Sequence, residues 1–487
     1  MTRRALHETT SLCGTCKRAI AATVLDEDGV AWMEKTCPSH GLQRVVVASE
    51  TRWYEETRAM AAIPAPPPGM RPVVDGCPYD CGPCTQHTQS VKLPVVTITS
   101  ACNLRCPMCY VHNKNEGAYH MSRDELSQVL SHLRRDHGGE LDLINLTGGD
   151  PTMHPDLVGM VEICHAAGIH RVSVCTNGIR LVEDPELLRA LKALDVRIAL
   201  SFQSLEHEAD HALQGARLVD LKLKILGVLE EHDIDTTLIP VMSKGINDRE
   251  IGRIVALGLA RNNVRHIEVH TMTFTGQGGT SFDRSARITV PEMLTAIDET
   301  TNGLLRREHF VPSPSAHPLC YQIAYLLLDP EGGPPIPFLD LLTRQEMREC
   351  LSEHLYLEPS PRLELALRSA IDRLFAQPDE DAERPLRILK SLLSAMFPRR
   401  PISRAEALKV GERAAKAVYL HSHMDEENFD VERLAQCCDS NCYADGTTIP
   451  VCAYNVLYRE KEERFMTAPA AWPPKTSGAR SLRVLRT

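Results

Sequence analysis

The stretch Thr97–Tyr110, TITSACNLRCPMCY, decides the fold, because three cysteines follow directly on a short apolar run. Cys102, Cys106 and Cys109 are separated by three and then two residues. Thiolates are the usual ligands of [4Fe–4S] clusters, and a complete set is four. The stretch therefore predicts a cluster with one iron left open for a ligand that is not protein. The alternatives are a zinc knuckle or unrelated buried cysteines.

The chain around this stretch alternates apolar, strand-like runs with amphipathic helices from about residue 94 to residue 290. The Ser122/Glu125 pair forms a capping box in front of a helical apolar stripe. Six strands joined by helices are typical of a parallel sheet, here a partial (β/α)6 barrel. The predicted strands are Pro94–Ile98, Leu141–Thr147, Arg171–Cys175, Val196–Phe202, Thr236–Met242 and His266–Thr273.

Polar residues and glycines stand where several of these strands end. Gly148, Gly149 and Asp150 follow the second strand, and glycines suit a close backbone approach because they lack a Cβ. In parallel barrels ligands bind at the carboxyl ends of the strands. This rule selects Asn177, Ser201, Gln203 and His270, although Asn177-Gly178 is equally typical of a simple turn.

The cysteine motif and the Gly-Gly-Asp segment resemble those of the radical S-adenosylmethionine (radical SAM) superfamily. The resemblance implies that the amino and carboxylate groups of SAM chelate the open iron, and that an external donor of the ferredoxin or flavodoxin type supplies electrons. Asp150 replaces the usual Glu, and Met108 stands at a position that is more often aromatic. The implied SAM-binding residues are Met108, Gly148, Gly149, Asp150, Asn177, Ser201 and Gln203.

The N-terminal segment predicts a separate, closed metal site. Cys13 and Cys16 form one knuckle, and Cys37 and His40 form another. A hairpin-like run with Asp28-Gly29 as its turn joins them. Four such ligands bind one zinc or iron ion tetrahedrally, so the site is predicted to be structural. The alternative leaves His40 at the surface and only three thiolates as ligands.

Composition limits the classes of function. The chain has 487 residues, 43% of them apolar, and a formal net charge of −10, which argues against a general nucleic-acid binder. Its N-terminus shows no signal peptide and no stretch is apolar enough to span a membrane. These features predict a cytoplasmic protein, in which 17 cysteines indicate metal binding rather than disulfides.

Further cysteines predict one or two auxiliary [4Fe–4S] clusters. Cys77, Cys81 and Cys84 repeat the three-then-two spacing, but no strand precedes them, so SAM binding is assigned to the second copy. With five cysteines from the C-terminal part they make eight thiolates, enough for two cubes. Cys164 and Cys175 are predicted core residues and Cys350 a bystander. The five are Cys320, Cys437, Cys438, Cys442 and Cys452.

After the barrel the pattern predicts helices, one starting at Ser360-Pro361, one over 386–397 and one at the Ser403/Glu406 capping box. Their apolar faces indicate core, with an apolar channel as the alternative. The basic tail is predicted to be disordered, with a weak attraction to anionic lipid as the alternative. The predicted segments are a metal domain (1–62), a Pro-rich linker (63–72), an auxiliary cluster segment (73–90), the radical SAM barrel (91–290), a helical, cysteine-containing region (291–465) and the tail (466–487).

The combined pattern resembles the archaeal tetraether lipid synthases and their bacterial relatives. The resemblance rests on the N-terminal Cys-x-x-Cys with 36–41, the 77–84 run with His87, the SAM cluster motif, 315–320, and Cys437-Cys438 with 445–452. It implies three cubes, one rubredoxin-like site, and hydrogen abstraction from an unactivated C–H bond of a lipid chain. The alternatives are a radical SAM methylase or maturase acting on a pterin-like molecule or a peptide, and an iron–sulfur electron carrier without SAM.

Overall fold

A computed structural model describes residues 3–67, 70, 72–79, 84–111, 113, 115–139, 141, 143–376, 382–400, 402–459 and 462. Cys81 and the tail from residue 466 therefore lie outside the described residues. No helix in these ranges is long and apolar enough to cross a membrane.

The N-terminal residues form a four-stranded antiparallel sheet in the order β1-β2-β3-β4. The β2–β3 hairpin turns at Asp28 and Gly29, whose φ angles of 53° and 85° are those of a tight hairpin turn. The predicted hairpin between the two knuckles is thus present. The elements are β1 (Arg3–Leu12), β2 (Ala19–Glu27), β3 (Val30–Cys37), β4 (Gly41–Ala48) and helix α1 (Thr51–Ala59).

The central part is the predicted (β/α)6 barrel, with its six strands parallel and in chain order. Pro240 divides the predicted fifth strand in two, since proline cannot donate to the ladder. The strands are β5 (Leu93–Thr99), β6 (Leu143–Gly148), β7 (Arg171–Thr176), β8 (Arg197–Ser201), β9 (Thr236–Ile239), β10 (Val241–Met242) and β11 (Val264–Thr271).

Helices cover the outside of the parallel strands and bury their apolar stripes against the sheet. Ser122 and Glu125 form the predicted capping box at the start of α2, a contribution of about 1 kcal/mol to helix stability. Helices α4 and α6 were missed because each is short. The helices are α2 (Arg123–Asp136), α3 (Leu157–Ala166), α4 (Ile179–Glu183), α5 (Pro185–Ala193), α6 (His207–Gln214), α7 (Val219–Glu231) and α8 (Ile251–Ala260).

The region after the barrel contains the predicted helices and six strands that the sequence reading missed. The elements are α9 (Gly276–Ser281), α10 (Val290–Thr300), β12 (Val311–Pro312), β13 (Tyr321–Leu327), β14 (Ile336–Pro337), α11 (Arg344–Cys350), α12 (Pro361–Ala376), α13 (Glu383–Met396), α14 (Arg404–Ala414), β15 (Ala415–His421), α15 (Val431–Ala435), β16 (Asp439–Cys442), β17 (Thr448–Pro450) and α16 (Val451–Ala453).

These added strands extend the barrel sheet at both edges. Strand β15 lies parallel beside β11, β13 is antiparallel to β15, and β16 lies parallel beside β5 on the other side. The two edges meet inside, where the Tyr321 hydroxyl on β13 donates to the Asp439 carboxylate on β16. The region therefore completes the wall of the barrel, and its description as helical was only partly right.

The apolar faces of α12 and α13 pack into a core with β13 and β15. The prediction that these faces form core is therefore confirmed. Backbone hydrogen bonds hold the described residues of the Pro-rich linker. Ile63 donates its backbone N–H to the Pro314 carbonyl at 2.8 Å, and Ala65 donates to Thr88 at 2.9 Å. Its described residues thus lie against the body of the protein.

Candidate active site

A cavity of about 280 Å³ runs from the barrel interior to the carboxyl ends of the parallel strands. Two groups of lining residues face it. The cluster wall consists of Cys102, Cys106, Met108, Cys109, Gly148, Gly149, Asp150, Asn177, Ser201 and Gln203. The histidine wall consists of Glu268, His270, Tyr321, His421, His423, Asp439 and Asn441.

The cysteine loop of the cluster wall is held by polar contacts at its start. The Asn115 side chain accepts from the Cys102 N–H and donates to the Cys102 carbonyl, both at 2.9 Å. Burial raises the pKa of the Cys102 and Cys106 thiols to about 12. Burial thus favours the protonated thiols, whereas bound iron would favour the thiolates, since a coordinating thiol is deprotonated. The three cysteines thus line one cavity in a setting that fits a buried cluster.

The glycines of the cluster wall lie directly against the end of β5. A Cβ on Gly148 would lie 2.1 Å from the Thr99 carbonyl oxygen, and one on Gly149 would lie 2.2 Å from that of Ala101. No larger residue fits at either position without moving the backbone. Both glycines also line the cavity, so their backbone is available to the amino acid headgroup of a ligand.

Asp150 holds the cluster wall together instead of facing a ligand. Its carboxylate accepts from the Thr152 N–H and hydroxyl, from the Thr176 hydroxyl and from the Asn177 N–H, at 2.6–2.9 Å. The residue is 1% exposed. These contacts connect the end of β6 to the end of β7, so the side chain positions its neighbours.

Asn177 and Ser201 are tied to the same network. Asn177 donates from Nδ2 to Asn103 Oδ1 at 2.6 Å, which joins the end of β7 to the cysteine loop. Lys222, buried on α7, donates from Nζ to the Asn177 carbonyl at 2.6 Å and to the Ser201 carbonyl at 2.8 Å. Burial lowers the pKa of Lys222 to about 8. Sequence reasoning missed Lys222, which is hidden in an amphipathic helix.

Gln203 also satisfies its side chain within the protein. Its Oε1 accepts from the Val241 N–H at 2.7 Å, and its Nε2 donates to the Ile239 carbonyl at 3.4 Å. The side chain thus bridges the break that Pro240 makes between β9 and β10. All seven residues predicted to bind SAM line the cavity, but three of their side chains, those of Asp150, Asn177 and Gln203, serve to hold strand ends in place.

The histidine wall is formed by residues of four strands, β11, β13, β15 and β16, which are far apart in sequence. His270 on β11 lies beside His421 on β15 in the parallel register. The Glu268 carboxylate lies 3.2 Å from His270 Nε2 and 3.6 Å from His421 Nδ1. Burial raises the pKa of Glu268, but its close contacts with these two imidazoles outweigh burial and lower the pKa overall. His270 was predicted as a strand-end residue and does line the cavity.

Asn441 leaves an unpaired amide in the histidine wall. The residue is 3% exposed, and neither its Nδ2 nor its Oδ1 has a hydrogen-bond partner among the described residues. A buried unsatisfied polar group costs about 1–3 kcal/mol. Such a donor and acceptor beside a cavity are available to a ligand.

The four ligands predicted for the N-terminal metal site come together. Potential ligand atoms of Cys13, Cys16, Cys37 and His40 all lie within 4.8 Å of one another. His40 Nδ1 is 3.5 Å from the Sγ atoms of both Cys13 and Cys37. Three sulfurs and one nitrogen at this spacing fit a closed tetrahedral site.

The remaining C-terminal cysteines gather beside the histidine wall. Burial raises the pKa of Cys437, and the nearby Cys452 and Cys320 raise it further. Cys452 Sγ lies 3.8 Å from His423 Nδ1. The segment with Cys77 and Cys84 packs here too, since His87 Nε2 lies 2.8 Å from the Cys437 carbonyl. The structure thus brings Cys320, Cys437 and Cys452 together and places the segment with Cys77 and Cys84 against the same region.

Cys442 is the exception and corrects the expected set of eight ligands. Asp439 and Asn441 face the cavity, and side chains alternate along a strand, so Cys442 points to the opposite side of β16. Its thiol donates to the Ser440 carbonyl at 3.3 Å and packs in the core with α2 and α3. We infer that Cys442 is a core residue.

Two further cysteines were predicted to be core. Cys164 is fully buried in the barrel core. Cys175 instead lines the cavity, where its thiol donates to Asn145 Oδ1 at 3.0 Å. The prediction for Cys175 was wrong because inward-facing positions near the carboxyl end of a barrel strand border the ligand cavity.

Comparison with known proteins agrees with this architecture. Residues 96–258 match the radical SAM superfamily, and residues 5–49 match the HMPTM N-terminal zinc ribbon domain. The chain thus contains a radical SAM domain, which implies a [4Fe–4S] cluster and SAM, and a zinc ribbon. The predicted fold class is confirmed.

Two named relatives cover different shares of the chain. The 7,8-dihydro-6-hydroxymethylpterin dimethyltransferase of Methanocaldococcus jannaschii is 27% identical over 497 residues, which cover 96% of each chain. A probable GTP 3′,8-cyclase of Saccharolobus solfataricus is 28% identical over 224 residues, 45% of this chain and 68% of the relative.

Among solved structures, Streptococcus suis SuiB bound to precursor peptide SuiA is 14% identical, with 62% of this chain and 69% of that chain covered. Its TM-score is 0.36, too low to support a conclusion.

Proposed function

We propose that this radical SAM enzyme takes hydrogen from, and modifies, a small polar heterocycle of the pterin class. The observation that carries the proposal is the Asn441 carboxamide in the cavity, which has no hydrogen-bond partner in the part of the chain that the structure describes. A carboxamide offers an acceptor and a donor side by side. A pterin presents the complementary pair on its pyrimidinone edge, where a ring N–H stands next to a carbonyl oxygen.

The rest of the histidine wall supports a polar substrate. Glu268, His270 and Asp439 line the same cavity, and they are buried or nearly so. A buried polar group needs a polar partner, so an alkyl chain against this wall would leave these groups unsatisfied. The named M. jannaschii relative, a pterin dimethyltransferase aligned over 96% of each chain, supports the same substrate class.

When bound, the [4Fe–4S] cluster and SAM would supply a 5′-deoxyadenosyl radical that abstracts a hydrogen atom. Cys102, Cys106 and Cys109 would hold the cluster, and the Gly148-Gly149 backbone would bind the SAM headgroup. Asp150 and Lys222 keep the ends of β6, β7 and β8 fixed around that site. The surrounding barrel limits the access of water, which would otherwise quench a carbon radical.

A lipid chain is the competing substrate. It is favoured by the grouping of Cys320, Cys437 and Cys452 beside His423, because this cysteine pattern is the one that resembles the tetraether lipid synthases. The apolar faces of α12 and α13 do not serve that interpretation, since they pack as core and are absent from the described lining of the cavity.

Deuterium transfer to 5′-deoxyadenosine tests the proposal. Reduced holoenzyme with SAM is incubated with a deuterated 7,8-dihydropterin or with a phospholipid deuterated in its acyl chains, and 5′-deoxyadenosine is analysed by mass spectrometry. We expect label from the pterin only. Label from the phospholipid alone would replace the pterin proposal with the lipid one, and label from neither would reject both.

An Asn441→Leu variant tests the residue that carries the proposal. Loss of a paired donor and acceptor is expected to raise KM for the dihydropterin roughly tenfold to a hundredfold. The kcat of uncoupled SAM cleavage is expected to stay unchanged. Asn262→Leu, at an exposed position, is the control. An unchanged KM in Asn441→Leu would remove Asn441 from substrate binding.

A further inference from the structure

We propose that His270, His421 and His423 form a mononuclear divalent metal site in the histidine wall. Potential ligand nitrogens of the three residues all lie within 4.8 Å of one another. The ring centroids are 5.1 Å apart for His270 and His421, 5.0 Å for His270 and His423, and 3.8 Å for His421 and His423. The site lies in the cavity, apart from the zinc ribbon and from the cysteines of the cluster wall.

The strands place the three imidazoles on one patch of the barrel wall. His270 and His421 are register partners at the ends of β11 and β15. His423 follows two residues after His421, and the three rings line the cavity together. Two of the three ligands come from paired strands and the third lies just after β15, so His270 and His421 are held in place before a metal arrives, which favours binding.

The hydrogen bonds of these imidazoles are incomplete. Among the described residues, His270 Nε2 and His421 Nδ1 are buried without a hydrogen-bond partner of suitable geometry. Each such group costs about 1–3 kcal/mol when it remains unsatisfied. A metal ion would accept both lone pairs and remove this cost.

The surrounding charge also favours a cation. The described ion-pair contacts of Glu268 are made to His270 and His421, and Asp439 approaches His421 Nε2 to 3.8 Å. Both carboxylates are buried or nearly so. Two carboxylates in this poorly solvated place favour a nearby positive charge, and a bound dication would supply it.

Imidazole suits Zn²⁺ and Fe²⁺ better than the hard cations Mg²⁺ and Ca²⁺. With metal–nitrogen bonds of about 2.0–2.1 Å, tetrahedral ligands stand roughly 3.4 Å apart, so the rings need only small rotations. Three protein ligands leave a fourth position open toward the cavity. That position would take a nitrogen or oxygen atom of a substrate. The metal site goes beyond the proposed function and does not depend on the substrate class.

The test uses reconstituted holoenzyme incubated with two added equivalents of Zn²⁺, one for each site, and then desalted. Zinc is counted by mass spectrometry, and its ligands are identified by X-ray absorption. We expect two zinc ions per chain, one in the sulfur-rich ribbon and one bound by nitrogen. The His270→Gln/His423→Gln double variant should lose one zinc and the nitrogen-rich signal, with its iron content unchanged. The control is His165→Gln/His170→Gln, a second histidine pair, with ring centroids 5.6 Å apart.

Two results would overturn the proposal. One is a wild-type enzyme that retains only the ribbon zinc, with no anomalous scattering between the three rings in crystals soaked in Zn²⁺ or Fe²⁺. The other is a double variant that keeps its zinc but loses iron and cluster absorbance, which would make His423 an auxiliary cluster ligand. The anomalous measurement needs no variant, so misfolding of the double variant leaves the test intact.

Discussion

The two walls of the cavity differ in how they use polar side chains. In the cluster wall, Asp150, Asn177 and Gln203 satisfy their side chains on neighbouring strand ends and loops. In the histidine wall, His270, His421 and Asn441 have buried side-chain atoms that find no hydrogen-bond partner among the described residues. Groups that satisfy one another build a fixed shape, whereas groups left unsatisfied in a cavity are available for a ligand. The difference separates the residues that hold the site from those that bind within it.

The largest effect should come from removing the cysteines of the cluster wall. The triple variant Cys102→Ser/Cys106→Ser/Cys109→Ser should lose about four irons per chain. Formation of 5′-deoxyadenosine should fall to background, because no iron remains for SAM. Iron analysis and chromatography measure both quantities. The control is Cys350→Ala, at a buried cysteine in the core of α12, α13, β13 and β15, and it should keep both its iron content and its SAM cleavage. Retention of SAM cleavage in the triple variant would contradict the assignment of this wall.

Asp150→Ala should have the next largest effect, through the shape of the cluster wall. The change leaves the N–H groups of Thr152 and Asn177 without their acceptor. We expect a loss of about 2–4 kcal/mol in the free energy of unfolding and weaker SAM binding. Chemical denaturation and calorimetry measure the two losses. The exposed Asp124→Ala control should change stability by less than about 0.5 kcal/mol. Normal stability in Asp150→Ala would show that the carboxylate does not hold this wall.

Lys222→Met should weaken the cluster wall more mildly. The variant keeps the length of the side chain but loses the donor to the Asn177 and Ser201 carbonyls. We expect SAM affinity to fall about tenfold, equivalent to 1.4 kcal/mol, with iron content unchanged. Lys224→Met, at an exposed position on the same helix, is the matched control. Equal SAM affinity in the two variants would argue against a positioning role for Lys222.

The last expected effect appears only below neutral pH and concerns His266, which lies two positions before Glu268 on the same face of β11. Its ring stacks on Tyr356 at 5.2 Å instead of bordering the open cavity. Burial, helped by the charge of Arg197, lowers the pKa of His266 from 6.5 to about 4. Because the neutral form is the one favoured in the fold, this contribution to stability is complete above pH 6.5 and is lost as pH falls toward 4.

Between pH 7.5 and pH 5.5 the free energy of unfolding should fall by about 1.4 kcal/mol. The reason is that pH 5.5 lies one unit below the pKa of an unfolded histidine, and one pH unit corresponds to that amount. Chemical denaturation at the two pH values, compared with His266→Phe, measures it. The variant should show a pH dependence smaller by the same amount. An identical pH dependence in wild type and variant would show that His266 is not kept neutral by its surroundings.

Local sequence patterns were sufficient to predict the residues of the cluster wall and of the zinc ribbon. The ribbon ligands lie on two knuckles joined by one hairpin, and the cluster wall follows consecutive strand ends of a βα repeat. In both cases short-range periodicity and turn residues specify the placement. The histidine wall had only one visible signal, His270 at a strand end. His421 and His423 follow a short apolar run that was not recognised as a strand, because the region around it is helical.

The sequence by itself determined the parallel barrel, the ribbon and the three cysteines at the barrel mouth, since each depends on residues close together along the chain. Only the tertiary structure decided that β15 pairs with β11 and β16 with β5. Those pairings place His421 beside His270 and turn Cys442 away from the cavity. The physical reason is that pairing between distant strands depends on the packing of the whole core, whereas a helix, a hairpin or a metal knuckle depends on its own residues.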